Sequence, residues 1–308
     1  MSLTAGATAH LRRAPAASRP PIGGSREEVL AYVAAERARA PAAPPTETVE
    51  SVLERVTDRG IAVRVYVPRH EAADCPLLLY FHGGGWILGG LDIHDAACRR
   101  LANLAQCVVV NVDYRLAPEH PFPAAFEDCV ETTRWAISGA AGLGVDSSRC
   151  AVLGSSSGGG LAAAVALASR DAGERALGAQ VLIYPALDST MGSDSHRAFA
   201  RGYGLEHDAM QFYWETYATT ESARLEPYVS PSQAEHLAGL PPTLLVTAQY
   251  DILHDEGADY AKRLGEAGVP TRWVEMPGQI HGFLATMPTE PEVAAALAQI
   301  AAWLSETL

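Results

Sequence analysis

Gly154-Ser155-Ser156-Ser157-Gly158, with Ala151-Val152-Leu153 before it and Leu161-Ala162-Ala163-Ala164-Val165-Ala166-Leu167 after it, decides how this chain is read. The apolar triplet is a buried-strand signal and the later run consists of strong helix formers, so the pentad lies at a strand-to-helix turn. A serine with glycine two residues away on each side can occupy such a sharp turn and present its hydroxyl. Of the three serines only Ser156 has that spacing. The competing reading is a Gly/Ser-rich phosphate-binding turn, but the lysine and following Ser/Thr of a P-loop are missing.

Outward from the pentad, strand and helix signals alternate. Val49 to Val56 and Ile61 to Val67 read as a strand pair around Asp58-Arg59-Gly60. Apolar runs follow at Leu77 to Phe81, Val108 to Val112, Ala151 to Leu153, Val181 to Tyr184, Leu244 to Ala248 and Thr271 to Val274. Helix-like segments lie at Arg26 to Ala40, Asp95 to Ala105, Ala124 to Ile137, Ser157 to Ser169 and Asp255 to Ala267, with a last one from Pro291. Ser25 is the expected cap of the first, Thr289 of the last, and Pro41, Pro44 and Pro45 stop the first. The pattern predicts an α/β fold: a mostly parallel, eight-stranded sheet with helices on both faces. From Asp188 to about Pro227 the alternation lapses into a helical stretch with Met210, Phe212, Tyr213, Trp214 and Tyr217. The expected organisation is an N-terminal cap segment over 1–45, core over 46–187, a cap insertion over 188–227 and core again over 228–308. The first 25 residues, rich in Ala, Pro, Ser and Arg, are expected to be loose or draped over another surface.

The 308 residues suffice for one large α/β domain with a modest insertion. A net charge of -13, with Lys262 the only lysine, leaves no basic stripe for a phosphate backbone, so nucleic acid is not an expected partner. No apolar run has the length of a membrane span. Cys75, Cys98, Cys107, Cys129 and Cys150 are scattered without metal-ligand spacing, and no continuous apolar leader follows the N-terminal charges; both features point to a reduced, cytoplasmic setting. No metal motif occurs, and neither metal nor cofactor is expected.

A serine hydroxyl is a poor nucleophile until a base takes its proton and an acid orients that base. Asp251 follows the strand ending near Ala248, and His281 follows the one through Val274, in the loop Pro277 to Phe283. The order Ser, Asp, His is that of α/β-hydrolases and differs from those of chymotrypsin-like and subtilisin-like enzymes. Asp255 and Glu256 compete for the acid's role but are better placed to cap the following helix. His82-Gly83-Gly84-Gly85-Trp86, directly after a strand, supplies unobstructed amides for an oxyanion. Gly83, Gly84 and Ser157 are the expected donors. His82 is read as a loop-holding hydrogen bonder and Trp86 as a residue facing substrate. The aromatic cluster Phe212, Tyr213, Trp214 and Tyr217 is read as cap core at helical spacing, with lining of an acyl or alcohol pocket as the alternative. Arg115 and Glu119 are expected to pair.

Four stretches together resemble the hormone-sensitive-lipase-like esterases of the α/β-hydrolase fold: His82 to Trp86, Asp113 to Ala125, Gly154 to Gly159, and Tyr250 to Glu256 with Ile280 to Phe283. The likeness spans roughly residues 45 to 305. It implies a serine hydrolase of short-chain acyl esters, with Ser156, Asp251 and His281 as triad and a cap built from the N-terminus and the insertion. The family's elbow usually reads Gly-Asp-Ser-Ala-Gly-Gly, whereas Ser155 here replaces the Asp and Ser157 the Ala. The expectation is therefore a serine carboxylesterase acting on short- to medium-chain acyl esters of small molecules. Deacetylation of a small molecule, a ligand-binding receptor and a lyase or cyclase remain alternatives. The sequence is compatible with a homodimer and silent on oligomeric state.

Overall fold

Alternating side chains along the central strands explain the layered architecture. Leu77, Leu79 and Phe81 point into one apolar cluster, Leu78 and Tyr80 into another, and all five are fully buried. A strand buried on both faces needs a layer of helices on each. The computed structural model describes residues 2–13, 19–39, 47–69, 74–139, 142–174 and 177–308. Its elements in chain order are α1 (Ala5–Arg13), α2 (Arg26–Arg39), β1 (Ser51–Val56), β2 (Ala62–Val67), β3 (Pro76–Phe81), α3 (Asp95–Ala105), β4 (Val108–Val112), α4 (Ala124–Ile137), β5 (Asp146–Ser155), α5 (Ser157–Asp171) and β6 (Ala179–Ile183). There follow α6 (Asp194–Ala198), α7 (His207–Tyr217), α8 (Glu221–Arg224), β7 (Thr243–Tyr250), α9 (His254–Glu266), β8 (Thr271–Ile280), α10 (Phe283–Thr286) and α11 (Pro291–Thr307).

The strands form one eight-stranded sheet in the order β1-β2-β4-β3-β5-β6-β7-β8. Among the described residues only the β1–β2 and β2–β4 pairings are antiparallel. Helices α4, α5 and α9 cover one face, with Cys129, Leu161, Val165 and Tyr260 in its core. Helices α3 and α11 cover the other, through Leu101, Leu297, Ile300 and Leu304. The expected α/β-hydrolase architecture is thus the observed one. β5, third from one edge of the parallel block, ends at the pentad with neighbours β3 and β6 on either side.

At several points the structure departs from expectation. Of the two expectations for the N-terminal residues, loose or draped, residues 5–13 meet the second, as a helix. Ala7 is fully buried and the Thr4 N–H donates to the Gly278 carbonyl at 3.0 Å, so α1 is draped over the end of β8, which runs on to Ile280 where a loop from Pro277 was expected. Ser25 does cap α2, reciprocally with Glu28: the Glu28 N–H donates to Ser25 Oγ at 3.3 Å and the Ser25 N–H to Glu28 Oε2 at 2.7 Å. Pro41, Pro44, Pro45 and the expected boundary at 45/46 lie outside the described residues. Glu290, not Thr289, occupies the N-cap position of α11, because Pro291 already supplies the preset φ of the first turn.

Candidate active site

The pentad is a turn that only small residues permit. Ser156 sits between β5 and α5 with φ 57° and ψ −124°, a conformation strained for a residue with a Cβ. A Cβ on Gly154 would run into the Gly158 carbonyl, and one on Gly158 into the carbonyls of Phe81 and His82. The glycine spacing therefore reflects backbone crossing backbone. Strain at Ser156 is held by its N–H donating to the Ile183 carbonyl at 2.9 Å and by its carbonyl accepting from Gly160 and Ala186, each at 3.1 Å.

Ser156 Oγ lies 2.8 Å from His281 Nε2, and His281 Nδ1 lies 2.7 Å from Asp251 Oδ2. The three side chains come from the ends of β5, β7 and β8, so the parallel strand ends bring together residues up to 125 positions apart. Asp251 is buried and its other oxygen accepts the Leu253 N–H at 3.0 Å. With the acid at Nδ1, the imidazole carries its proton there and leaves Nε2 to accept from Ser156. The Tyr184 ring packs in a T-shaped contact with the His281 ring, centroids 4.9 Å apart.

Gly83 lies against the nucleophile: a Cβ on it would sit 3.3 Å from Ser156 Cβ and 2.9 Å from the Ser155 carbonyl oxygen. Gly84 opens a turn in which its carbonyl accepts from Leu88 at 2.8 Å. Ser157 begins α5, so its N–H has no partner in the helix ladder and lies at the positive end of the helix dipole. His82 holds the loop, with Nδ1–H donating to the Gly83 carbonyl at 2.9 Å. Burial pushes its imidazole down to about 4, so it is neutral near pH 7. The Tyr114 hydroxyl donates to the His82 carbonyl at 2.7 Å and its ring stacks on the imidazole at 4.2 Å. The Ser155 hydroxyl is buried beside the phenols of Tyr80 and Tyr184. No cation stands among these neighbours, and an uncharged hydroxyl suits that setting better than a carboxylate.

Three expectations about the surroundings are corrected. Arg115 does not pair with Glu119: its Nη2 donates to Asp128 Oδ1 at 2.8 Å and its backbone N–H to Asp128 Oδ2 at 2.9 Å. Glu119 instead takes Arg37, from a helix 82 residues earlier. Trp86 does not face an open site. It is 1% exposed, stacked on Tyr217 at 4.5 Å and tilted against Trp214 at 4.4 Å, because the rings of α7 pack over it. Phe212, Trp214 and Tyr217 are buried with it, as core. Asp255 and Glu256 stand in the first turn of α9 but do not cap it with their side chains. Asp255 Oδ2 accepts the Ser195 N–H at 2.8 Å, and Glu256 Oε1 accepts the Leu187 N–H at 2.7 Å and the Asp188 N–H at 3.3 Å, so both fasten the start of the 188–227 segment to α9. Sequence reasoning missed Arg37 and Tyr184, of which only Tyr184 carried a signal, its place at the end of β6; Tyr213 is read in the aromatic cluster but not as a neighbour of the glycine loop.

Among the described residues no helix is long and apolar enough to cross a membrane, and no group of His, Cys, Asp and Glu could hold a metal ion. A family model described as the alpha/beta hydrolase fold matches residues 78–285. An arylesterase of Saccharolobus solfataricus is 39% identical over 240 residues, 78% of this chain and 78% of its own length. An ethyl acetate hydrolase of Pseudomonas putida is 39% identical over 229 residues, 73% of this chain and 71% of its own. The crystal structure of a thermostable esterase from Pseudomonas putida superposes with a TM-score of 0.89 at 33% identity, covering 100% of this chain and 98% of that one.

Proposed function

This chain belongs to the α/β-hydrolase fold family, in its hormone-sensitive-lipase-like branch, and we propose that it is a carboxylesterase cleaving short- to medium-chain acyl esters of small molecules. The observation that carries the reading is the unbroken relay from Ser156 Oγ through His281 to Asp251, with links of 2.8 and 2.7 Å. The names of the two relatives, an arylesterase and an ethyl acetate hydrolase, support esters as the substrate class.

In this mechanism Ser156 Oγ attacks the ester carbonyl carbon while His281 Nε2 takes its proton. The carbonyl electrons move to oxygen, where the N–H groups of Gly83, Gly84 and Ser157 stabilise the anion. Such donors act in a preorganised site, and losing one typically costs about 10²–10³ in kcat. Collapse of the tetrahedral intermediate expels the alcohol, which receives the proton from His281. Water then gives its proton to His281 and its oxygen to the acyl carbon, and the acid leaves as Ser156 regains a proton. Asp251 keeps the imidazole in the Nδ1–H tautomer and stabilises the imidazolium.

Helices α1 and α2 and the 188–227 segment serve as a cap over the strand ends in this reading. It is supported by the small core that Val33 of α2 shares with Ile87, Ala117 and Phe212 of α7. A reducing, cytoplasmic setting belongs to the same reading: all five cysteines are buried, and no disulfide occurs among the described residues. The test is Ser156→Ala assayed on a series of p-nitrophenyl esters of increasing acyl length. Turnover should fall by at least about 10⁴-fold on every ester the native enzyme cleaves. Wild-type turnover in the variant would remove the nucleophile from the mechanism.

A further inference from the structure

The loop that carries the oxyanion donors is fastened by a side chain from outside the sheet-and-helix core. Arg37, near the end of α2, donates from Nε to the Ile87 carbonyl at 2.8 Å and from Nη2 to the Ala117 carbonyl at 2.9 Å. The same guanidinium makes a two-pronged contact with Glu119, Nη1 to Oε1 at 2.8 Å and Nη2 to Oε2 at 3.0 Å. Ile87 and Ala117 are buried, so both carbonyls take these bonds away from bulk water. The Ala117 N–H in turn donates to the Trp86 carbonyl at 3.0 Å. One planar cation thus joins α2, the glycine loop and the 117–119 turn, a geometry for which the five fixed donors of arginine are suited and a lysine ammonium is not.

The fastening lies immediately beside the donors. The Ile87 and Leu88 N–H groups close back on the Gly84 carbonyl at 3.2 and 2.8 Å, so the peptide after Gly84 moves with the turn that Arg37 holds. On the other side the ring of Tyr213, from α7, lies over Gly85: a Cβ there would be 2.5 Å from Tyr213 Cγ. With φ 62°, Gly85 lets the loop pass beneath that ring. Donors that stabilise an oxyanion must stand within a few tenths of an ångström of their productive positions, and the segment holding them here is gripped by α2 and α7.

We propose that Arg37 is a positioning residue for the oxyanion loop: its fork to the Ile87 and Ala117 carbonyls and to Glu119 sets the place of the Gly83 and Gly84 amides. This rests on the esterase reading, in which those amides stabilise the tetrahedral intermediate. Arg37 touches neither the relay nor the reacting atoms. Its removal should therefore weaken transition-state stabilisation while leaving the relay's basicity and ground-state binding in place.

The experiment compares wild type, Arg37→Gln, Arg37→Lys and Glu119→Gln on p-nitrophenyl acetate, with active sites titrated so that kcat refers to folded enzyme. A trifluoromethyl ketone serves as a reversible analogue of the tetrahedral intermediate. Arg37→Gln should lower kcat about 10-fold or more with KM within about 2-fold, and raise the ketone's Ki by a similar factor, with an unchanged pH inflection. Arg37→Lys should resemble Arg37→Gln, because charge without the fork does not hold both carbonyls. Glu119→Gln should shift kcat and Ki together by a smaller factor, and it carries the test by itself if the Arg37 variants do not fold. The proposal is overturned if kcat per titrated site and Ki stay at wild-type values while only thermal stability falls. It is equally overturned if KM alone rises. Ser156→Ala is the reference that separates the two readings. An inactive Ser156→Ala beside a fully active Arg37→Gln removes only the positioning role, whereas an active Ser156→Ala removes the esterase mechanism beneath it.

Discussion

Asp251→Asn is a change of one atom whose consequence can be worked from the hydrogen bonds. Oδ1 accepts the Leu253 N–H at 3.0 Å and Oδ2 accepts from His281 Nδ1 at 2.7 Å, in a side chain that is fully buried. An asparagine offers one acceptor and one donor in that place. Turning its NH2 toward Leu253 would set two donors against each other without water, a penalty of about 1–3 kcal/mol. The amide oxygen therefore stays with Leu253 and the NH2 faces the imidazole. Nδ1 must then accept, the proton moves to Nε2, and Ser156 Oγ faces a donor where it needs a base. Loss of the correct tautomer in a serine triad costs about 10⁴ in kcat, or roughly 5 kcal/mol of barrier. The assay is steady-state hydrolysis of p-nitrophenyl acetate near neutral pH, with circular dichroism to verify the fold and Asp255→Asn as control. Asp251→Asn should be about 10⁴-fold slower and Asp255→Asn within about 10-fold of wild type. An Asp251→Asn enzyme within about 10-fold of wild type would refute the role of this acid, and a large loss in Asp255→Asn alone would move that role to its neighbour.

Two further outcomes follow from the packing and the charges. Trp86→Ala should destabilise the protein by about 3–5 kcal/mol in urea unfolding, since the ring is 1% exposed and packed against Trp214 and Tyr217; a loss below about 1 kcal/mol would mean that the ring does not fill that core. The hydrogen bond from Arg37 holds the Glu119 carboxyl below the usual range. A depressed carboxyl contributes stability in full above its unfolded value near about 4.3 and loses it as pH falls through the folded value. The Tm gap between wild type and Glu119→Gln should therefore be widest near neutrality and narrow below about pH 4. A gap that stays constant across that range would contradict the linkage.

Much of the molecule was legible from local patterns. The eight strands and their parallel arrangement follow from apolar runs alternating with helical ones, because a strand buried on both faces needs helices on both sides. Ser156, Asp251 and His281 could be singled out because each lies past an apolar run that marks a strand, and parallel strands deliver their ends to one edge; before His281 the run ending at Val274 understated a strand that continues to Ile280. The residues misread were those whose partners depend on the path of a loop. Arg115 has acids within reach of its sequence neighbourhood at Glu119, Glu127 and Asp128, and spacing does not choose among them; the turn into α4 presents Asp128. Trp86 follows the glycine loop directly, yet its ring is buried against Trp214 and Tyr217 of α7.

The sequence by itself determined the sheet, the elbow and the three residues that meet there, since hydrophobic period, glycine spacing and strand ends are local properties of the chain. Tertiary structure alone decided what holds the glycine loop besides His82: Arg37, 50 residues before Ile87, and Tyr213, well over a hundred after Gly85. Long polar and aromatic side chains can reach many neighbours. Which one they take is settled by how the packed helices approach the loop, and no periodicity in the sequence records that approach.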